Sequence, residues 1–253
     1  KIMPEEFYRI KRLPPYVFAE VNRLKADFRS KGVDIIDFGM GNPDMDTPCH
    51  IVEKLVETVR KPRTHRYSAS KGIDGLRKAQ SSYYKNRFGV TLNPDTEIIA
   101  TLGSKEGLAN LAMAITAPGD VMLVPNPSYP IHPYGFMIAG GTLRHLPTLH
   151  NGKFDPEEYM RALSRAVLHS VPKPVALVIS FPSNPTAQLC DLNFYRELIG
   201  FAKSKDIWVL SDLAYAEIYF DNNPPPSILE VKHAKDIAVE FTSLSKTFSM
   251  PGW

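Results

Sequence analysis

Cysteine is scarce in this chain: Cys49 and Cys190 are the only two in 253 residues. Two thiols cannot build a disulfide framework, so they fit a reducing compartment and point to the cytoplasm. Long apolar runs are absent too. None approaches the roughly 18 residues that a membrane-spanning helix needs, and the opening Lys1-Ile2-Met3-Pro4-Glu5-Glu6 has no signal-peptide core. Charge of one sign is not in excess, since 30 Lys and Arg face 27 Asp and Glu. With the basic residues scattered, nothing predicts a nucleic-acid partner. The seven histidines show no metal-ligand spacing, so no metal is expected. Neither a repeat nor a low-complexity tract interrupts the chain, and the P-loop spacing is missing.

What is present is alternation. Short apolar runs at residues 35–38, 98–101, 121–124, 143–146, 175–179, 207–210 and 237–241 predict seven strands. Helical patterns lie before and between them. Val17, Val21, Leu24 and Phe28 form one stripe, and Thr47-Pro48 predicts a capped helix running to about Val59. Further helices are predicted over 75–87, 105–115, 134–139, 156–167 and 192–203. Apolar runs separated by helices imply an α/β fold with a mostly parallel seven-stranded sheet covered on both faces. In such sheets ligands bind beyond the carboxyl ends of the strands.

The polar residues gather at those ends. Gly103-Ser104-Lys105-Glu106-Gly107 lies between a strand and a helix, where free N–H groups attract anions. An ordinary helix start capped by Ser104 reads equally well there. Tyr129, in Asn126-Pro127-Ser128-Tyr129-Pro130, can stack on a flat ring or pack on its own prolines. Asn184, in Phe181-Pro182-Ser183-Asn184-Pro185-Thr186, can donate to a phenolate oxygen or close an Asx turn. Asp212 suits a protonated ring nitrogen, with Tyr215 three residues on, although it can equally cap a short helix. Last comes Lys246 among small hydroxyl residues in Thr242-Ser243-Leu244-Ser245-Lys246-Thr247.

Taken in order, these motifs resemble those of the class I/II aminotransferases of fold type I, which depend on pyridoxal 5'-phosphate. Gly41-Asn42-Pro43-Asp44 with Thr47-Pro48, Asn184-Pro185-Thr186, Asp212 to Tyr215 and Ser243 to Lys246 carry the likeness. The segments Ile10 to Phe18, Gly103 to Leu108 and Asn126 to His132 narrow it to the alanine (glutamate–pyruvate) and LL-diaminopimelate aminotransferase subgroup. The resemblance implies that Lys246 is the Schiff-base lysine and general base. It also implies that Asp212 holds the ring nitrogen, that Asn184 and Tyr215 bind the ring oxygen, and that Tyr129 stacks on the ring. Ser104, Lys105 and Ser243 would hold the phosphate, and Tyr67 would reach the phosphate of a partner subunit, which makes a homodimer with shared sites. Gly41 and Tyr16 would line the substrate pocket. Residues 1–45 would be an N-terminal arm and part of a small domain. Residues 46–253 would be the large domain, incomplete at its C-terminal end, with the C-terminal small domain and two anion-binding arginines expected beyond Trp253.

The expected reaction is ping-pong transamination between alanine or glutamate and pyruvate or 2-oxoglutarate. LL-diaminopimelate transamination and carbon–sulfur lysis are alternatives. So is an inactive or regulatory cofactor-binding fragment, although residues 1–45 show no helix-turn-helix pattern. One departure stands out: where the broad family usually has glycine, this chain has Ala187.

Overall fold

The computed structural model describes residues 7–39 and 41–253. Residues 1–6 of the predicted N-terminal arm, and Met40, lie outside the described residues. The chain divides into two compact units, residues 1–45 and 46–253. The first carries α1 (Tyr8–Lys11) and α2 (Val17–Ser30), and no side chain of α2 is buried. Lys25 reaches from α2 to Asp37 at 2.8 Å, and that hydrogen bond holds the Asp37 carboxyl below its ordinary pKa.

The second unit is built on a parallel sheet of β1 (Val121–Asn126), β2 (Thr142–Pro147), β3 (Pro174–Ser180), β4 (Trp208–Asp212) and β5 (Ala238–Phe241), ordered β2-β1-β3-β4-β5. Side-chain alternation decides which helices cover each face. Leu123, Leu177, Ile179 and Val209 point to one side, into a core with Tyr159 and Leu163 of α7 (Pro156–Leu168) and Leu198 and Ile199 of α8 (Leu192–Lys205). Their neighbours Met122, Val124, Ala176, Val178 and Leu210 point to the other, against Ala112 of α5 (Ser104–Ile115) and Phe136 of α6 (Ile131–Ala139). A strand apolar on both faces needs cover on both, which is why these runs read as continuous rather than alternating. Both covering helices α7 and α8 start on aspartate caps. Asp155 accepts from the N–H groups of Glu157 and Glu158, and Asp191 from that of Phe194 at 2.9 Å.

Two further helices are α3 (Cys49–Val59) and α4 (Asp74–Phe88). Thr47 does not cap α3; its hydroxyl donates instead to the Ser249 carbonyl at 2.5 Å, and Pro48 takes the cap position. Arg77 of α4, buried, pairs with Asp74 and with Asp95 and donates to the Gly72 and Pro94 carbonyls. It thereby ties the helix start to the loop behind it.

Seven strands were expected, and five form among the described residues. The runs at 35–38 and 98–101 have no ladder partner. In the first, Ile36 and Phe38 are exposed and Asp37 is held by side-chain bonds. In the second, Ile98 packs on the Tyr84–Phe88 cluster while Ile99 stands in solvent, and the Ala100 N–H bonds to the Lys71 carbonyl rather than to a strand. Partial burial of Ile98 and Ala100 is not pairing.

One polar residue sits inside β5. The Glu240 carboxylate accepts from Tyr84 at 3.0 Å, Ser211 at 3.0 Å, Ser227 at 2.6 Å and the Ile228 N–H at 3.1 Å. It so joins α4, β4 and the turn at Ile228–Glu230 to the strand that leads to Lys246. Burial raises its pKa above the ordinary 4.5 despite these donors. A folded-state value above the unfolded one means the folded state holds the proton more tightly. The side chain therefore contributes stability below about 4.5, and that contribution is lost as pH rises through the raised value. Glu240→Gln has no such titration. Denaturant midpoints measured at a series of pH values should show the native protein losing stability relative to the variant from about pH 4.5 upward. A difference between the two that stays constant with pH would contradict this.

Candidate active site

All five strands run the same way, so their carboxyl ends share one edge. The register sets Ser180, Asp212 and Phe241 side by side at that edge. The segments that follow carry Asn184 after β3, Tyr215 after β4, and Ser243 and Lys246 after β5, with Tyr129 after β1. The start of α5 comes to the same edge. A Cβ added at Gly107 would lie 3.4 Å from the Phe241 ring and 3.1 Å from the Thr101 hydroxyl, so glycine permits the close approach of helix to strand end. Gly103, at φ 84, turns the chain into that helix.

Asp212 is the centre of the cluster. It is buried; its Oδ2 lies 2.8 Å from His132 Nε2, and its Oδ1 accepts from the Ala214 N–H at 3.2 Å. Residues 214–217 form turns, so Asp212 caps no helix. His132, fully buried on α6, also meets the Tyr129 ring edge to face at a centroid distance of 6.1 Å. Lys105 Nζ stands 5.3 Å from the centroid of that same tyrosine, a cation–π contact. Lys105, Tyr129, His132 and Asp212 therefore form a continuous line from the start of α5 to the end of β4.

Beside it, Asn184 Nδ2 donates to the Tyr215 hydroxyl at 3.1 Å. Asn184 Oδ1 accepts no backbone N–H among the described residues, so no Asx turn closes there. Partial burial raises the Tyr215 pKa, the Asn184 bond opposes the rise, and the Asp212 charge adds to it. Ala187, next along the same loop, takes φ 52. That left-handed backbone costs alanine about 1 kcal/mol more than glycine.

Lys246 lies on the short helix α9 (Leu244–Thr247), partly buried, and makes no ion pair or side-chain hydrogen bond among the described residues. Ser243 is buried immediately before α9, and its carbonyl accepts from the Thr247 hydroxyl at 3.3 Å. Ser104 opens α5, but Gly103 holds the cap position, so the capping reading of Ser104 does not stand. Tyr67 is fully exposed between α3 and α4. Gly41 and Tyr16 belong to the first unit. His132 is the residue that sequence reasoning passed over as an ordinary histidine. Its one signal was position, three residues after Tyr129 at the start of a helix that follows a strand end.

The donor set suits pyridoxal phosphate. A carboxylate backed by a histidine complements a protonated ring nitrogen, and an amide with a phenol complements a ring oxygen. A helix start bearing serine and lysine complements a phosphate. An amine with no partner among the described residues suits an aldehyde. No group of three or more His, Cys, Asp or Glu able to hold a metal ion occurs among the described residues. No helix among them is long and apolar enough to cross a membrane.

Comparison with known proteins agrees with this chemistry. The family model for aminotransferase class I and II matches residues 33–253. The putative aminotransferase AatC of Rhizobium meliloti is 64% identical over 249 residues, covering 98% of this chain and 60% of its own length. Glutamate-pyruvate aminotransferase AlaC of Escherichia coli is 51% identical, over 98% of this chain and 59% of its own. An LL-diaminopimelate aminotransferase of Aquifex aeolicus is 44% identical, over 97% and 62%. Among solved structures, Thermus thermophilus aspartate aminotransferase with maleate superposes with a TM-score of 0.86 at 30% identity, covering 99% of this chain and 63% of its own. The chain thus spans about three-fifths of the curated relatives it matches.

Proposed function

The chain belongs to the class I and II aminotransferases, and from that premise we propose that the whole protein moves an amino group between alanine or glutamate and pyruvate or 2-oxoglutarate in a ping-pong cycle. The family depends on pyridoxal phosphate, whose ring accepts the electron pair released when the amino acid loses its Cα proton. The observation that carries the reading is the presence of the Asp212–His132 and Asn184–Tyr215 pairs on the edge where β5 runs out toward Lys246.

Each side chain then has a task. Asp212, held by His132, keeps a proton on the ring nitrogen through a charge-assisted hydrogen bond. Asn184 and Tyr215 hold the ring oxygen, and Tyr129 covers one ring face. Ser104, Lys105 and Ser243 bind the phosphate. Lys246 would hold the cofactor's aldehyde carbon through its amine and, once freed by the substrate amine, would be the base that moves the Cα proton.

Full-length protein mixed with L-alanine tests the reading, because the bound cofactor should change its absorbance and 2-oxoglutarate should restore it. Silence with every amino acid tried would remove the transaminase claim. The Aquifex aeolicus relative supports a second reading, LL-diaminopimelate as donor, and a substrate panel ranked by kcat/KM separates the two. Tyr215→Phe keeps the ring and deletes the hydroxyl that Asn184 reaches. The loss of one hydrogen bond to a developing charge should lower kcat by about 10- to 100-fold, and a kcat within twofold of native would argue against that role.

The exposed position of Tyr67 agrees with a homodimer in which that residue reaches the partner's phosphate. The two free cysteines agree with the cytoplasm.

A further inference from the structure

Two buried polar atoms of the second unit have no protein partner among the described residues, and both belong to side chains that line one small cavity. They are His132 Nδ1 and the Tyr159 hydroxyl. His132 is 0% exposed and Tyr159 2%, and both line a cavity of about 10 Å³ that Thr148 and Ser180 also line. That volume is about one water molecule, and a water in such a place needs two to four polar partners. We propose that Tyr159 is a positioning residue for the Asp212–His132 pair and acts through a single water held in this cavity. The proposal rests on the reading of Asp212 as the group that meets the cofactor ring nitrogen.

Proton counting gives the relay its direction. At 2.8 Å from a carboxylate oxygen, His132 Nε2 must carry a hydrogen, since two lone pairs would otherwise face each other. In the neutral ring Nδ1 is then an acceptor, and a buried acceptor requires a donor. Water supplies one hydrogen to Nδ1 and in turn accepts the Tyr159 O–H. Burial raises the Tyr159 pKa, so its hydroxyl keeps its proton across the working range. Tyr159 donates to the water, the water to His132 and His132 to Asp212, so the last member receives a hydrogen bond without gaining a proton. The relay holds His132 in its Nε2–H form, with that hydrogen directed at Asp212. Tyr159 sits on α7 and His132 on α6, so helices from opposite faces of the sheet would set the state of one carboxylate at its edge.

Tyr159→Phe removes the donor and keeps the packing, so the fold should persist. In the full-length, cofactor-loaded protein with 15N-histidine, the His132 Nδ1 resonance should move toward that of an imidazole nitrogen without a hydrogen bond. Turnover should fall by about 3- to 10-fold in kcat, with KM changed less than about twofold. Tyr195→Phe is the control. It deletes another buried tyrosine hydroxyl that does not line this cavity, and it should leave the His132 signal in place. A high-resolution crystal structure should show one ordered water within roughly 2.6–3.2 Å of both atoms. A cavity without ordered water, a water touching only one of the two atoms, or an unmoved His132 resonance in Tyr159→Phe overturns the relay. If those results come from a protein that still converts amino acids, the transaminase reading stands alone. If the water and the shift are seen but no amino acid is converted, the relay stands as geometry and that reading fails.

Discussion

Lys246→Ala should lower transamination by about 10⁴-fold, the upper end of what one positioned base supplies, and abolish covalent retention of the cofactor. Both effects come from one amine. Removing it takes away the anchor and the group that moves the Cα proton, so two functions fail together. Stability should change little, because Lys246 is only partly buried and makes no ion pair or side-chain hydrogen bond among the described residues. That separation makes the variant informative, since a lost reaction in a protein with native unfolding behaviour cannot be ascribed to misfolding. A small exogenous amine should restore part of the rate by replacing the base but not the anchor. Borohydride treatment of the native protein followed by peptide mapping should place the cofactor on Lys246. Label on another lysine, Lys105 in particular, or a variant with more than a tenth of native kcat, would end the assignment.

Asp212→Asn should cost about 10²- to 10³-fold in kcat/KM and also lower stability. The two losses have different origins. Catalytically, an amide cannot hold a proton on a ring nitrogen as a carboxylate does, and a broken charge-assisted contact in a buried site is worth about 3–5 kcal/mol. Structurally, Asp212 accepts twice, from His132 Nε2 and from the Ala214 N–H. Asparagine has one acceptor oxygen and a donor NH₂. Either the NH₂ faces the Ala214 N–H, donor against donor, or it faces His132 and drives the ring to the other tautomer. Each arrangement strands a buried polar group, at about 1–3 kcal/mol. Thermal unfolding, cofactor affinity and the His132 15N spectrum read the two effects separately. A variant within threefold of native in kcat/KM would show that Asp212 does not meet the ring.

Much of this architecture was legible because periodicity is local. The alternation of short apolar runs with helical stripes announces a parallel sheet covered on both sides, and five of the predicted strands form. The Val17 to Phe28 stripe and the helices predicted over 105–115 and 156–167 appear within a residue or two as α2, α5 and α7. Residues 35–38 and 98–101 carry the same apolar signal and do not pair. Apolarity at four positions reports the wish to be buried, and a strand also needs a neighbour whose edge is open. Glu240 shows the reverse. A carboxylate inside an apolar run looks like an interruption, yet it collects donors from Tyr84, Ser211, Ser227 and Ile228, which are scattered over more than half the chain.

The site divides along the same line. Lys105, Tyr129, Asn184, Asp212, Tyr215 and Lys246 could be picked out by type and by their place after strands, since a parallel sheet sends all such positions to one edge. Which of them touch was a matter of three dimensions. The Asp212–His132 pair spans 80 residues and the Asn184–Tyr215 bond 31. In a linear pattern only its place three residues after Tyr129 sets His132 apart from the other histidines, and that place names no partner until α6 buries it against the end of β4. Residue chemistry and short-range period are properties of neighbours in the chain. Partner choice, protonation and tautomer depend on who is close in space once water has been squeezed out, and only the packed fold decides that.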